Sequence, residues 1–387
     1  MTTPARNPAL HGVRILDLSR VLAGPWCTMT LADLGADVIK VEQPRGGDDT
    51  RGWAPFRDGE SAYYLCTNRN KRSVAVDIGT PQGQAIVRGL AAHCDVVVEN
   101  FEAGALARYG LDHEALRQVR PDVIWCSISG YGRTSPLAAR AGYDYVIQAE
   151  GGLMAITGEP DGEPMKVGVA VADLFTGMFA VQAILAAVIA RRNDGQGQLI
   201  DMALFDCQLA MLANVGSAYL VTGREPERFG NAHASVVPYQ VLPTADSEIV
   251  LAVGNDRQFR LLCDEVLGRP DIAADQRFAT NSARIDNRDL LIPLLTGVLR
   301  TRPAREWQDK LASTGIPTGT VRQVGEALES AEARARGMVS EVPHPTLGTV
   351  RLVSSPIRMS GTPVREPQAP PTLGEHTQQV LREFGLG

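Results

Sequence analysis

The first 130 residues alternate short apolar runs with amphipathic stretches of about ten residues. The apolar runs are rich in β-branched residues and read VRILDLS (13–19), DVIKVEQ (37–43), RSVAVDI (72–78), CDVVVEN (94–100) and DVIWCSISGYG (122–132). Strand-like runs separated by helical patterns predict βαβ units and a parallel sheet covered by helices on both faces. The sequence therefore predicts an α/β fold with a large Rossmann-like domain at the start of the chain.

The loops that follow these strands are the predicted ligand-binding region. Right-handed crossovers place all of them along one edge of a parallel sheet. They read VLAGPW (21–26), EQPRGGDD (42–49), ENFEAG (99–104) and SGYGRTSP (129–136). We expect a ligand to lie across this edge.

The second half of the chain predicts a long apolar helix and then a smaller domain. LFTGMFAVQAILAAVIA (174–190) carries no charge, but at 17 residues it is short for a membrane span, and a fully buried helix is favoured. PYQVLPTADSEIVLAVG predicts an antiparallel hairpin that turns at TADS. We therefore expect a large domain over 1–224, a small α+β domain over 225–330, and a C-terminal segment over 331–387 that returns to the large domain.

Composition limits the partners and the compartment. Lys and Arg total 38 against 44 Asp and Glu, a net charge of −6, which argues against nonspecific attraction to nucleic acid or to an anionic membrane. The N-terminal MTTPARNPAL lacks the apolar core of a secretory signal, so we expect a cytoplasmic protein. The six cysteines and six histidines are scattered, which predicts buried reduced thiols and no metal site.

Several common catalytic motifs are missing from the sequence. SRVLAGPW, after the first strand, lacks the G-x-G-x-x-G spacing of dinucleotide-binding folds. The chain also contains no P-loop, no G-x-S-x-G elbow and no H-E-x-x-H pair. Dehydrogenase, kinase, triad hydrolase and metalloprotease functions therefore lose their main support.

Asp173 stands immediately before the most apolar segment of the chain. Aspartate is a preferred helix N-cap, and on the residues alone a plain cap is the simpler interpretation. The alternative is a buried carboxylate that the helix N–H groups keep ionised, and such a group is a possible nucleophile. The residues alone leave both open.

The chain resembles the family III (CaiB/BaiF) CoA-transferases, which include formyl-CoA:oxalate and carnitine CoA-transferases, over nearly its whole length. The matching stretches keep their order and spacing and are LDLSRVLAGPWCTMTLADLGADVIKVEQPRGGDDTRGW, NKRSVAVDI, DVVVENFEAGALARYGL, ISGYG, GYDYVIQAEGG, VGVAVADLFTGM, GQGQLIDMALFD and LGEHT. The resemblance implies that Asp173 is the catalytic aspartate.

The resemblance also implies a covalent mechanism. Attack of Asp173 on an acyl-CoA thioester gives a mixed anhydride, and an aspartyl-CoA thioester then leads to the new acyl-CoA. Coenzyme A and acyl-CoA are substrates in this scheme, and no prosthetic group is required. The site must exclude water and stabilise oxyanions, for which we expect backbone N–H donors and close approach at Gly151 and Gly152.

The resemblance implies contacts to each part of CoA. The expected contacts are Val21, Leu22 and Ala23 at the pantetheine, Val76 at the adenine, Asn100 and Phe101 at the nucleotide, Arg108 at a phosphate, and Tyr143 and Asp144 at the reactive end. On the residues alone, Phe101 is equally a core residue and Arg108 a solvated helix arginine.

The sequence departs from some relatives at known contact positions. Leu22 stands where some carry glutamine, and Gln43 and Gly79 replace basic phosphate ligands, for which Arg45, Lys71 and Arg72 are possible substitutes. GNAHASVVPYQVLPTADS is similar to the branch that acts on small dicarboxylic acids such as succinate, glutarate, citramalate or itaconate. In that branch His233 and Arg228 are candidates to meet a distal carboxylate, with surface roles as the alternative.

Two other functions stay open. The α-methylacyl-CoA racemases resemble the same segments, but they need a histidine base where this chain has Tyr143, and a phenol is a poor base near neutral pH. A catalytically inactive CoA-binding protein is the other alternative. The family resemblance further implies an interlocked, ring-like homodimer.

Overall fold

The structure is a computed structural model and describes residues 7–386. In chain order its strands are β1 (Arg14–Asp17), β2 (Asp37–Glu42), β3 (Phe56–Arg57), β4 (Glu60–Ser61), β5 (Lys71–Ala75), β6 (Val96–Glu99), β7 (Ile124–Ser129), β8 (Leu199–Ala203), β9 (Tyr239–Pro243), β10 (Glu248–Ala252), β11 (Thr318–Gly319), β12 (Val339–His344) and β13 (Gly348–Val353).

The helices are interspersed with these strands. They are α1 (Ala23–Asp33), α2 (Ala62–Leu65), α3 (Pro81–Ala92), α4 (His113–Arg117), α5 (Asp144–Glu150), α6 (Val171–Asp194), α7 (Leu204–Met211), α8 (Ala213–Thr222), α9 (Asp256–Leu261), α10 (Pro270–Ala274), α11 (Asn281–Asp286), α12 (Arg288–Leu299), α13 (Ala304–Ala312), α14 (Val324–Leu328), α15 (Ala331–Ala335) and α16 (Thr377–Glu383). Short 3₁₀ helices cover Asp49–Gly52, Leu106–Tyr109, Met154–Ile156 and Gln276–Phe278, and a π-helix covers Leu262–Leu267.

The central feature is a six-stranded, fully parallel sheet in the order β5-β2-β1-β6-β7-β8. This confirms the predicted Rossmann-like α/β fold. The strand order reverses between β1 and β6, and open α/β sheets bind ligands at the carboxyl end of such a switch point. The loops that begin at Leu18 and Asn100 meet there, where the main-chain N–H of Leu18 donates to Val98 O.

The alternation of strand side chains builds two cores. Ile15 and Val38 pack on the side of α1 and α6, whereas Leu16 and Ile39 pack on the side of α3 and α16. The α3 helix begins where the sequence favours a start, because Thr80 caps it through the main-chain N–H of Gly83 and Pro81 occupies its first turn.

One row of the sheet is polar although it is buried. Asp17, Lys40 and Ser73 are neighbours in register across β1, β2 and β5, and all three are fully buried. They share the α1 side of the sheet, since side chains at one register position point to one face. The row therefore places charge directly below the first turn of α1.

The long apolar helix α6 begins three residues earlier than the sequence pattern predicts. The prediction of a fully buried helix was wrong: one stripe is buried, while Phe175 and Met178 are each 37% exposed and Ile189 is 60% exposed. By length and apolarity α6 also meets the requirement for a membrane span, and 44% of its most apolar window is buried within the protein.

The chain divides into two compact units. Unit 1 holds residues 7–154, Lys166–Arg224 and 330–386, and unit 2 holds Ala155–Met165 and Glu225–Glu329. The segment Ala155–Met165 differs from the predicted division, which left it in the large domain. Arg228 supplies the reason, because its guanidinium donates to the carbonyl oxygens of Ala155, Glu159 and Gly162 at 3.3, 3.1 and 2.7 Å.

Unit 2 has its own core. Strands β9 and β10 form the predicted antiparallel hairpin, and β11 joins them on the far side of β10. Phe259, Phe278 and Trp307 pack beneath this sheet with the surrounding leucines.

The cysteines are all unpaired. Five are buried, as the apolar runs around them predict, and Cys66 is the exposed exception. Burial of its thiol within a partly open pocket raises the pKa of Cys66 to about 11, so this thiol is a weak nucleophile at neutral pH.

Candidate active site

Asp173 lies in the first turn of α6 as the third helical residue, and the N-cap position belongs to Ala170. The carboxylate that accepts from the helix terminus is that of Asp144, whose Oδ1 receives the main-chain N–H of Ala172 at 2.8 Å. The interpretation of Asp173 as a plain cap was therefore wrong. So was the expectation that the helix N–H groups hold its charge.

Asp144 is itself fixed by a buried amide. The Nε2 of Gln148 donates to Asp144 Oδ2 at 2.8 Å, and the Oε1 of Gln148 accepts from the main-chain N–H of Val167 at 2.9 Å. Gln148 is fully buried. The two side chains thus fasten α5 to the segment that leads into α6, and they determine where Asp173 lies.

The surroundings of Asp173 oppose its negative charge. Burial, followed by the charge of Asp144, raises the pKa of Asp173 to about 7. Within residues 7–386 no hydrogen bond reaches its carboxylate. A carboxylate with this pKa is partly ionised at neutral pH and is a stronger nucleophile and base than an ordinary aspartate.

The start of α6 lies against the start of α1. Gly177 makes this possible, since a Cβ on it would lie 2.7 Å from the carbonyl oxygen of Ala23 and 3.1 Å from Cδ1 of Trp26. Asp173 precedes Gly177 by one helical turn and shares its face. Asp173 therefore lies on the face of α6 that meets the first turn of α1, into which the loop Val21–Ala23 leads.

This loop has a constrained backbone. Val21 has φ +70°, a left-handed conformation that is unusual for a β-branched residue. Leu22 and Ala23 are 5% and 3% exposed. The amide of Asn100 holds the preceding residue, accepting from Arg20 N and donating to Arg20 O, each at 2.8 Å.

A cavity of ≈ 110 Å³ opens beside this loop at the switch point of the sheet. Two predicted contacts, Val76 and Phe101, line it, together with Gln43 and apolar side chains of the surrounding loops. The guanidinium of Arg20 lies 5.2 Å from the centre of the Phe101 ring. The apolar wall of the cavity and the Arg20 guanidinium together suit an aromatic ring system as ligand.

Two exposed arginines that closely follow lining residues of this cavity in sequence are free of partners among residues 7–386, whereas the buried cations are paired. Arg108 and Arg45 are exposed, and neither guanidinium has an ion-pair or hydrogen-bond partner among the residues that the structure describes. Lys71 is fully buried and donates to Asp17 at 3.0 Å, and Arg72 pairs with Asp37 and Glu383. The suggestion that Lys71 and Arg72 replace phosphate ligands was therefore wrong.

Comparison with known proteins gives the family. The model of CoA-transferase family III matches residues 10–377. The chain belongs to CoA-transferase family III. It is 49% identical to the succinate–glutarate CoA-transferase of Agrobacterium fabrum, over 98% of this chain and 97% of that protein. It is 43% identical to the human succinyl-CoA:glutarate CoA-transferase, over 97% of this chain and 85% of that protein.

A solved structure agrees with this membership. The crystal structure of a CaiB/BaiF family protein from Brucella suis superposes with a TM-score of 0.87 at 45% identity, covering 98% of this chain and all of that one. The family III fold therefore extends over both units of this CoA-transferase.

Other predicted residues of this family III enzyme take different places. Tyr143 is 66% exposed and directly precedes Asp144. Gly151 packs against α7, since a Cβ there would lie 2.4 Å from Cγ of Gln208, so its small size serves helix packing. Gly152 has φ +81° and ends the same turn.

Sequence reasoning missed Tyr63, which lies near Asp173 and Asp144. Burial is the main cause that raises the pKa of Tyr63 to about 12. Asp173, Cys66 and Asp144 raise this pKa further. Its ring meets Trp53 edge to face, with centroids 5.1 Å apart. The signal available in the sequence was SAYYLC (61–66), which contains an aromatic pair and is separated by three residues from the NKRSVAVDI segment.

The two candidate substrate residues lie in unit 2. His233 Nδ1 accepts from the main-chain N–H of Ser235 at 3.0 Å, and the His233 ring contacts Tyr239. Its Nε2 has no hydrogen-bond partner among residues 7–386. The Arg228 guanidinium is occupied by carbonyl oxygens of Ala155–Met165, which favours the structural alternative for that residue.

Proposed function

We propose that this family III CoA-transferase moves CoA between small dicarboxylic acids, with Asp173 as the covalent nucleophile. The observation that carries the proposal is the position of Asp173. Its carboxylate lies in the first turn of α6, on the face that meets the start of α1, and has a pKa of about 7. No cation of the described chain neutralises it, so it is free to attack an acyl carbon.

The reaction is a chain of exchanges at carbonyl carbons. An Oδ of Asp173 attacks the thioester carbon, the C–S bond breaks, and CoA leaves as the thiolate from a mixed anhydride. The thiolate attacks the aspartyl carbon, which releases the donor acid and forms an aspartyl-CoA thioester. The acceptor carboxylate attacks the aspartyl carbon of this thioester, the C–S bond breaks, and a second mixed anhydride forms. The thiolate then attacks the carbonyl carbon of the acceptor, which gives the new acyl-CoA and releases Asp173 as the carboxylate.

Backbone donors beside Asp173 suit the oxyanions of these steps. The main-chain N–H groups of Ala23 and Gly24, in the first turn of α1, make no hydrogen bond within residues 7–386. Free N–H groups at a helix start favour developing negative charge. They lie next to the carbonyl of Ala23, which contacts α6 at Gly177.

The remaining CoA contacts follow from the cavity at the switch point. We propose that the adenine occupies the space between Val76 and Phe101. Arg108, on the adjoining 3₁₀ helix, is proposed to pair with a phosphate of CoA. Pantetheine then passes Val21 and Leu22 on its way to Asp173. Asn100 acts in this arrangement through the main chain of Arg20, and a direct nucleotide contact is a further proposal.

The dicarboxylate preference rests on the relatives. The two enzymes that are 49% and 43% identical to this chain are named for succinate and glutarate. We propose His233 as the residue of unit 2 that meets a distal carboxylate. Neither acid requires a prosthetic group for this chemistry, because the thioester itself supplies the activated acyl carbon.

We also propose a cytoplasmic homodimer. Large apolar side chains on three consecutive helices are exposed, and they are Phe175, Met178, Ile189, Leu209, Tyr219, Leu220 and Val221. Leu220 and Val221 are 82% and 85% exposed, which is costly for a surface left in water. A second copy of the chain covering these helices removes that cost.

The experiment that tests the function is a substrate panel. Purified enzyme is incubated with succinyl-CoA, glutaryl-CoA, acetyl-CoA or formyl-CoA and with each of a series of carboxylic acids, and the acyl-CoA products are identified by mass. We expect the largest kcat/KM for pairs of four- to six-carbon dicarboxylic acids. Transfer only to monocarboxylic acids contradicts the substrate class, and α-proton exchange without transfer identifies a racemase.

A further inference from the structure

The strained residue Val21 lies between β1 and α1 at the switch point of the sheet. A left-handed backbone is unfavourable at a non-glycine residue and persists where the surroundings determine it. Two residues later α1 begins, and its first turn contacts α6 beside Asp173. The backbone of Val21 therefore sets the direction in which the loop Val21–Ala23 meets the nucleophile.

Three side chains hold this turn, two from loops that follow strands and one from the middle of β2. Asn100 binds the main chain of Arg20 on both sides, as described above. The Nζ of Lys40 donates to Ser19 O at 2.8 Å, and Asp48 Oδ1 accepts from the main-chain N–H of Val21 at 3.2 Å. Consecutive backbone groups from Ser19 to Val21 are thus each held in place.

Lys40 and Asp48 also form a buried ion pair. Lys40 Nζ lies 2.9 Å from Asp48 Oδ2, and both side chains are 0% exposed. Asp48 is further fixed by Thr50, whose main-chain N–H and Oγ1 donate to Oδ1 at 3.0 and 2.8 Å. Lys40 occupies the middle of β2, between Val38 and the buried Glu42 on the same side of the strand.

Stability does not explain such a pair. Removing two charges from water is expensive, and replacement of buried ion pairs by neutral residues is often neutral or stabilising. What the pair provides here is geometry: one partner holds Ser19 O and the other holds Val21 N, across the two ends of the strained turn. An apolar pair of the same volume cannot supply either bond.

We propose that Lys40 and Asp48 are positioning residues that keep Val21 left-handed and so direct the loop Val21–Ala23 toward Asp173 for catalysis. The inference rests on the proposed function, because it assigns the pair to the acyl-transfer site. Neither residue touches the reacting atoms. The pair acts through the backbone of Ser19, Arg20 and Val21.

The test is a rescue experiment. Lys40→Met with Asp48→Ser removes both charges. The serine hydroxyl can still accept from Thr50 N, but this side chain is too short to reach Val21 N. We expect kcat/KM for acyl-CoA to fall about 10- to 100-fold, mainly in kcat, since misorientation of a reactive loop has effects of this size. Added Val21→Gly should recover at least about fivefold of that loss, because glycine adopts positive φ without strain.

Val21→Gly is also measured alone, because Val21 is itself a proposed CoA contact. The inference requires that glycine helps the double variant and does not help the wild type. Equal effects of glycine in both backgrounds, or wild-type kcat in the double variant, overturn it. Hydrogen exchange of the peptide that contains Val21 should quicken in the double variant, and unchanged protection also overturns it.

A matched control and a second variant keep the outcome clear. Arg191→Met with Asp95→Leu removes an ion pair of 2.8 Å at the amino end of β6, on the side of the sheet away from the loops that follow the strands. This control should leave kcat unaltered. If the double variant fails to fold, Asp48→Asn is used, which keeps the cap on Thr50 but weakens the hold on Lys40. If the wild type transfers no CoA, the proposed function fails, while hydrogen exchange still tests whether the pair holds Val21.

Discussion

Asp17 and Asp173 are two carboxylates of unit 1 with opposite surroundings. Burial alone would raise the pKa of Asp17, but Lys71 and Lys40, with hydrogen bonds from Ser19 and Thr28, outweigh it and lower that pKa to about 2. Asp173 has no cation beside it, and burial together with Asp144 raises its pKa to about 7. Asp17 is thus held as a paired, ionised carboxylate within the fold, whereas Asp173 is a carboxylate that is unpaired among residues 7–386 and can react.

The comparison shows how one sheet edge supports both structure and chemistry. Lys40 and Lys71 are paired with Asp48 and Asp17 beneath α1, so neither lysine neutralises Asp173 at the start of α6. A lysine beside Asp173 would lower its pKa and weaken it as a nucleophile. Separation of the two regions is therefore a condition of the proposed mechanism.

Removing the reactive carboxylate has the largest expected effect. Asp173→Asn should lower kcat by at least about 10⁴-fold, because an amide cannot form the anhydride, while acyl-CoA binding stays within about threefold. The control is Asp206→Asn, since Asp206 occupies the same third position of α7 as Asp173 does of α6. Turnover that survives in the Asp173 variant contradicts the assignment of the nucleophile.

The locked carboxylate is tested by removing its cation. Lys71→Met leaves Asp17 buried and also deletes bonds of Lys71 Nζ to Pro25 O and Asn68 Oδ1, each 2.9 Å. The free energy of unfolding should fall by about 3–5 kcal/mol in urea titration. Lys166→Met, at an exposed lysine, should change it by less than about 0.5 kcal/mol. Equal midpoints for the two variants would show that the pair contributes nothing.

The contact that joins the two helix starts has an intermediate effect. Gly177→Ala places a Cβ 2.7 Å from Ala23 O, so α6 must move from α1 and carry Asp173 with it. We expect a loss of about 1–3 kcal/mol in the free energy of unfolding and a lower kcat. Gly297→Ala, a helix position with nothing within 4 Å, should be neutral or gain up to about 1 kcal/mol. Full activity in Gly177→Ala would separate the contact from catalysis.

Removing the charge of Asp144 should have the smallest effect on activity, a shift in its pH dependence. Because Asp173 must be ionised to attack, log kcat/KM should decline with unit slope below about pH 7. Asp144→Asn keeps an acceptor for Ala172 N but removes the negative charge, so the decline should move to lower pH. A pH profile that does not move in this variant rules out Asp144 as a source of the raised pKa.

The same shift predicts how stability depends on pH. The pKa of Asp173 is about 7 in the folded protein and about 3.9 in an unfolded chain, so the folded state binds the proton more tightly between these values. Its contribution to stability is full below about pH 4 and is lost as the pH rises through 7. The gain in the free energy of unfolding on Asp173→Asn should therefore be larger at pH 8 than at pH 5.

The fold was largely predictable from the chain. Apolar runs separated by helical patterns gave the parallel sheet, and TADS marked the hairpin of unit 2. The beginning of α6 was not predictable, because Asp173 is a favoured cap residue and the true capping carboxylate, Asp144, lies 28 residues from the N–H group that it accepts. Contacts at such separations leave no periodic pattern in the sequence.

The candidate site was predictable only in part. Asp173 stood out through its motif, and Val76 and Phe101 do line one cavity. The sequence could not show that Lys71 and Arg72 are engaged by acids, or that Arg228 is occupied by carbonyl oxygens. A signal for the buried pairs was present, since Lys40 interrupts an apolar strand and is one of only four lysines in the chain.

The most direct test of the account is to trap the acylated aspartate. Enzyme is mixed with succinyl-CoA in the absence of an acceptor acid, quenched with hydroxylamine, digested and mapped by mass spectrometry. We predict a hydroxamate on Asp173 in the wild type and on no other aspartate, Asp206 included. Absence of that product from an enzyme that transfers CoA at a normal rate would contradict the covalent role of Asp173.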